Sequence, residues 1–163
     1  MKAHIVLAAS LLSACAPVPP APLKRIAFPE AEYLALPRIG TGVISGQGFL
    51  RTRGGDVKTA AGSDVLLNPV TSYSLQWYED AYQRNVLLEA YDPRLEPYLR
   101  KTIADADGRF TFDGVPAGEY FVVTRIIWEA PNAYTSGLAQ QGGFVAKRVA
   151  VHDDQRVEVI VTR

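Results

Sequence analysis

Trp77, Tyr78 and Tyr82, close together in one stretch, are the side chains most able to do something that a plain scaffold does not require. Flat aromatic rings suit the apolar faces of sugars, and Tyr91 and Tyr98 follow soon after. Packing is the competing reading. Leu75, Tyr78 and Tyr82 fall at i, i+3 and i+7, the spacing of a helix face laid on a sheet, where each ring buries about 150–250 Å². That spacing favours packing. Trp128, Tyr134 and Phe144, further along, are available to extend the same surface. A second cluster, Arg51, Arg53 and Lys58, carries the charge for an anion site, although cations on loops are mostly just solvated.

Other chemistry is harder to assemble. His152 is the only histidine beyond His4, so neither a Ser-His-Asp triad nor a histidine-rich metal site is expected. The single cysteine, Cys15, excludes an intrachain disulfide and a cysteine-based zinc site. Asp105, Asp107 and Asp113 suggest calcium, but the EF-hand pattern fails. With Asp105, Asp107 and Gly108 at loop positions 3, 5 and 6, Ile103 falls at position 1 and Gly114 at position 12. These acids read as turn formers. Nothing marks Glu79 and Glu89 as a hydrolytic pair. No catalytic residue, metal or cofactor is therefore expected. Lys plus Arg and Asp plus Glu both total 17, which leaves no global field to recruit nucleic acid.

The elements around these residues read as strands. Thirteen Gly and 11 Pro, with 8 Tyr and 6 Phe, suit many turns between β segments rather than a helix bundle. Alternation predicts strands over Thr41–Arg51, Val57–Ala60, Asp64–Asn68, Arg109–Phe112 and Tyr120–Trp128. The glycines inside the first of these suggest a bulge. Asp107-Gly108 reads as the two-residue turn of a hairpin. Phe144–His152 and Arg156–Thr162 read as a closing hairpin, with Val157, Val159 and Val161 on one face. Between the third strand and the Asp107 turn lies an insertion. There Thr71 or Ser72 can cap a helix and Asp80–Arg84 is an i, i+4 pair, while periodicity leaves 86–91 open between helix and strand. Residues 129–143, with Pro131, Asn132 and several small residues, read as a flexible loop.

Residues 102–124, TIADADGRFTFDGVPAGEYFVVT, carry an acid-x-Asp-Gly-x-Phe-x-Phe run, a Val-Pro-Ala-Gly turn and an aromatic-led strand. The stretch resembles the carboxypeptidase regulatory-like domain. That resemblance implies a mainly β, seven-stranded, transthyretin-like sandwich over residues 39–163, here with one helical insertion at about 72–91. It also implies an accessory, adhesive or structural module rather than a catalyst.

The chain opens with Met1-Lys2-Ala3-His4, a short apolar run from Ile5 to Leu12 and small residues ending at Cys15. The run is far below the roughly 20 residues that a spanning helix needs, and reads as a secretory signal over 1–14. Leu12-Ser13-Ala14-Cys15 is similar to the lipobox of bacterial lipoproteins. The resemblance implies acylation of Cys15, and Ala16 after it implies the outer membrane. Several acyl chains, at about 0.8 kcal/mol per buried CH₂, anchor stably where one does not. Residues 15–38, starting with the proline-dense APVPPAP, read as a tether of which Tyr33–Leu36 can still pack on the domain. The sum is an envelope lipoprotein whose non-catalytic sandwich binds or assembles with an envelope protein. Carbohydrate recognition through the insertion aromatics, with peptidoglycan or exopolysaccharide as ligand, is the alternative.

Overall fold

The computed structural model describes residues 20–132 and 136–163, so Cys15 and Tyr134 lie outside the described residues. Two four-stranded sheets face each other. In the first, β1 (Gly42–Arg51) pairs antiparallel with β2 (Val57–Thr59) and β5 (Arg109–Val115), and parallel with β8 (Arg156–Val161). The second runs β4 (Arg100–Ile103), β3 (Asp64–Pro69), β6 (Gly118–Pro131), β7 (Leu138–Val151). There are eight strands among the described residues rather than seven; β4, which pairs with β3, is the one that the alternation did not mark.

The core lies between the sheets, where the alternation predicts it. Ile44 and Leu50 of β1, Phe110 and Phe112 of β5, Val122 and Ile126 of β6, Val145 of β7 and Val159 and Val161 of β8 are all buried there. Each such side chain contributes about 1.5–3 kcal/mol on leaving water.

Two of the expected hairpins are instead corners between sheets. β4 pairs with β3 and β5 with β1, so Asp107-Gly108 carries the chain from one layer to the other. Of the two turn residues only Gly108 is left-handed, at φ +77°, and Asp105 Oδ1 accepts hydrogen bonds from the amides of Asp107 and Arg109. Likewise β7 pairs with β6 while β8 crosses to pair with β1. The expected loop at 129–143 is also mostly strand. β6 and β7 stay paired out to Pro131 and Leu138, a long arm in which residues beyond Thr124 have only each other as strand partners.

The insertion lies across the outer face of the second sheet. Thr71 caps α2 (Ser72–Gln76) through a reciprocal box: its Oγ1 accepts from the Ser74 amide, and Ser74 Oγ accepts from the Thr71 amide. At Trp77 the helix widens into a π-helical stretch, Trp77–Gln83. Residues 86–91 then form neither helix nor strand, touching Leu23 through one parallel bridge at Leu88.

The proline-rich segment joins the fold from Leu23 onward. Ile26 N–H donates to Gln76 Oε1, and Leu23 N–H to the Leu87 carbonyl. Tyr33 of the short helix α1 (Glu30–Leu34) is fully enclosed with Tyr73 and Leu95, stacked on Phe28 and taking a hydrogen bond from Thr71 Oγ1. Burial pushes its phenol pKa up. Glu32 receives both the amide and the hydroxyl of Ser72, which hold its carboxyl below the usual range.

Candidate functional site

The outer face of the second sheet carries the site. Phe121, Val123 and Ala146 form its buried floor, and Leu75, Trp77, Tyr78 and Tyr82 pack over them. Tyr78 stacks on Phe121 at 4.5 Å between centroids, and Trp77 on Tyr82 at 5.9 Å. Packing thus claims Tyr78 and Tyr82, as their spacing suggests. Trp77 joins them because the widened turn brings residues five apart onto one face.

Trp77 also reaches outward, meeting the edge of the half-exposed Phe144 ring from β7 at 6.5 Å. These two rings, with Arg25, stand at the junction of two adjoining concavities. The smaller, about 210 Å³, is lined by Leu66, Asn68, Tyr73, Tyr91 and Leu95. The larger, about 640 Å³, runs past Tyr82, Asn85, Leu88, Gly143 and Arg163. Together they form a groove between the insertion, the β6–β7 arm and the strap of residues 23–28. Its size suits a small-molecule site, for which roughly 300–1,000 Å³ is usual. At its floor Asn68 Oδ1 is enclosed with no hydrogen-bond partner among the described residues.

The other candidates fall elsewhere. Trp128 packs on the inner core, on the opposite face of the sheet from Phe144, and so does not extend the Trp77 surface. Register sets Lys58 opposite Leu50 and Arg51 opposite Val57, which puts Lys58 and Arg51 on opposite faces. Arg53 is exposed in the β1–β2 turn beside Trp128. The three cations therefore share no face. His152 is exposed beside its turn, and no group of three or more His, Cys, Asp or Glu among the described residues could hold a metal.

A third concavity, about 310 Å³, lies among Pro37, Pro69, Pro97 and Pro116. Its Arg100 guanidinium is committed to the carbonyls of Asp113 and Gly114, and the Tyr120 hydroxyl to that of Pro116. These polar groups hold the corner together and leave little to meet a ligand.

The crystal structure of a candidate carbohydrate-binding protein from Pseudomonas aeruginosa superposes with a TM-score of 0.75 at 34% identity, over 85% of this chain and 99% of that one. This chain belongs to that protein's family. The match takes in most of this chain and nearly all of the relative, so the two share their fold. A minor pilin of Streptococcus agalactiae aligns over 76% of this chain and 44% of its own at TM-score 0.38 and 14% identity, too remote to carry an argument. No protein-family model matches the chain, and no curated protein does. Among the described residues no helix is long and apolar enough to cross a membrane.

The groove was not visible to sequence reasoning. Arg25 sits in a stretch that reads as tether, while Phe144, at the start of a predicted strand, was named as able to extend the Trp77 surface and does so. The only signal for Trp77 as a site residue was its company of aromatic neighbours.

Proposed function

We propose that this chain is a carbohydrate-binding module of the bacterial envelope and that a saccharide lies in the groove against Trp77 and Phe144. The observation that carries the reading is the meeting of those two rings, from separate elements, at the seam of two concavities. Trp77 offers apolar ring surface, while Asn85 supplies a polar group of the sparse kind that orients a ligand in such sites. Its relative in Pseudomonas aeruginosa, a candidate carbohydrate-binding protein, supports the same class. An assembly module, the first expectation from sequence, has no comparable surface to argue from. The motif at 102–124 supports placing the sandwich with the carboxypeptidase regulatory-like domains. No catalytic step is proposed.

Titration of the purified domain with soluble peptidoglycan fragments and exopolysaccharides, followed by calorimetry, tests this. Trp77→Ala is expected to weaken binding at least tenfold, a loss of about 1.4 kcal/mol or more. Trp128→Phe, on the other face of the sheet, is expected to leave it unchanged. A Trp128 effect equal to that of Trp77 would move the site away from the groove, and silence across the panel would end the reading.

The module is held at the membrane through acylated Cys15, with the stretch between it and Leu23 as the tether. This proposal is supported by the lipobox-like Leu12–Cys15 alone. Cys15→Ser is expected to release the protein from the membrane fraction of lysed cells. Unchanged sedimentation with membranes would sink the anchor and leave the glycan reading intact.

A further inference from the structure

We infer that the saccharide this groove takes is anionic, with a carboxylate or phosphate received by Arg25 and Arg163. The inference rests on the glycan reading above and names its substrate class.

The chain as a whole is balanced, with 17 basic and 17 acidic side chains. The groove is not. Arg25 borders both compartments and Arg163 the larger one, yet no aspartate or glutamate lines either. Glu89, beside Arg25, takes its backbone amide, and Asp80 is paired with Arg84. Each arginine also keeps its Nη donors free of hydrogen bonds among the described residues. Arg25 uses Nε to donate to the Glu89 carbonyl and lies 5.2 Å over the Tyr73 ring, while its two Nη groups have no partner among the described residues. Arg163 lies against Gly143 and makes no hydrogen bond or ion pair among them. A third guanidinium, Arg125, stands 5.8 Å over the Phe144 ring, next to it across the β6–β7 ladder.

A guanidinium with free Nη donors is matched to a two-oxygen anion, which it holds with paired bonds. Near low-dielectric aromatic walls such bonds count for more than they do in bulk water. A neutral sugar would stack on Trp77 equally well and leave these cations unanswered. That asymmetry is the reason to assign charge to the ligand.

The probes are oligogalacturonate, its methyl ester and a hexose phosphate, titrated into the purified domain at low and high salt. The first and second share one sugar skeleton and differ in charge. At least tenfold tighter binding of oligogalacturonate than of its ester, weakening as salt is raised, is the expected result. The hexose phosphate arm tells whether the preference is for carboxylate or for any such anion. Arg163→Gln should cut the preference for charge severalfold, and Arg25→Gln should do the same. Arg163 ties no other element down, so its variant serves even if Arg25→Gln loosens the strap. Equal binding of acid and ester, or a preference untouched by Arg163→Gln, overturns the inference while the glycan reading stands. If no saccharide binds at all, in this or the wider panel, both fall.

Discussion

Tyr33→Ala is expected to lower the unfolding free energy by about 4 kcal/mol, within the range for large-to-small changes at fully packed aromatic sites, and to weaken saccharide binding with it. Tyr33 has no exposed surface, stacks on Phe28 at 4.6 Å and meets Tyr98 at 4.8 Å. Alanine would leave a void among three segments that have little else in common: the strap and α1, the start of α2, and the 3₁₀ turn Pro93–Tyr98. It would also strip Thr71 Oγ1 of its acceptor at the cap of α2. Tyr33→Phe separates these effects. It keeps the ring and loses only the hydrogen bond, at about 1 kcal/mol. The coupling to function runs through the strap, because Arg25 forms a wall of the groove and is aligned by the same packing. Urea midpoints give the stability change, and hydrogen exchange at the Leu23 amide, bonded to the Leu87 carbonyl, tells whether the strap has come away. A loss under 1 kcal/mol for Tyr33→Ala would mean that residues 23–36 are an accessory to the domain and not part of it.

What the sequence disclosed and what it concealed divide along the range of the interaction. Alternation put Val159 and Val161 on one face, which is the buried one, since the two-residue period of a strand is a local property. The cap at Thr71 and the aromatic face of the insertion were legible for the same reason. Pairing is not local. Asp107-Gly108 supplies a left-handed turn residue whether the next strand folds back on the last or crosses to the other sheet, so the residues could not distinguish a hairpin from a corner. Gly108 records the crossing only in three dimensions: a Cβ there would meet the Gly48 carbonyl oxygen at 2.7 Å and the Ala60 amide nitrogen at 2.8 Å. The groove was concealed more deeply. It needs Arg25, Trp77 and Phe144 to converge, and they stand in three stretches that read as tether, helix and strand. Trp77 and Tyr82 are five apart, a spacing that an α-helix does not put on one face and the π-helical turn does.

Gly46→Ala is the harsher of the two substitutions for its size, with an expected cost of about 3 kcal/mol, the upper end for added core volume that cannot be absorbed. Glycines in the middle of β1 suggest a bulge, but the ladder shifts register earlier, between Gly42 and Ile44. Gly46 serves close approach instead. It pairs with Val159 in the parallel β1–β8 ladder, and a Cβ there would lie 2.0 Å from the Val159 carbonyl oxygen and 2.9 Å from both Phe110 Cζ and Val159 Cγ1. The first of these is backbone and cannot rotate away, so β8 must move off β1. That movement would break the parallel pairing of β1 with β8 and open the core at Val159 and Val161. Gly54→Ala is the matched control: its Cβ would meet nothing closer than Thr52 Oγ1 at 3.8 Å, and a change within about 0.5 kcal/mol is expected. Paired urea titrations of the two variants measure the difference directly. If Gly46→Ala unfolds with the control, β1 and β8 do not approach as closely as their register requires, and the closure of the first sheet would have to be drawn differently.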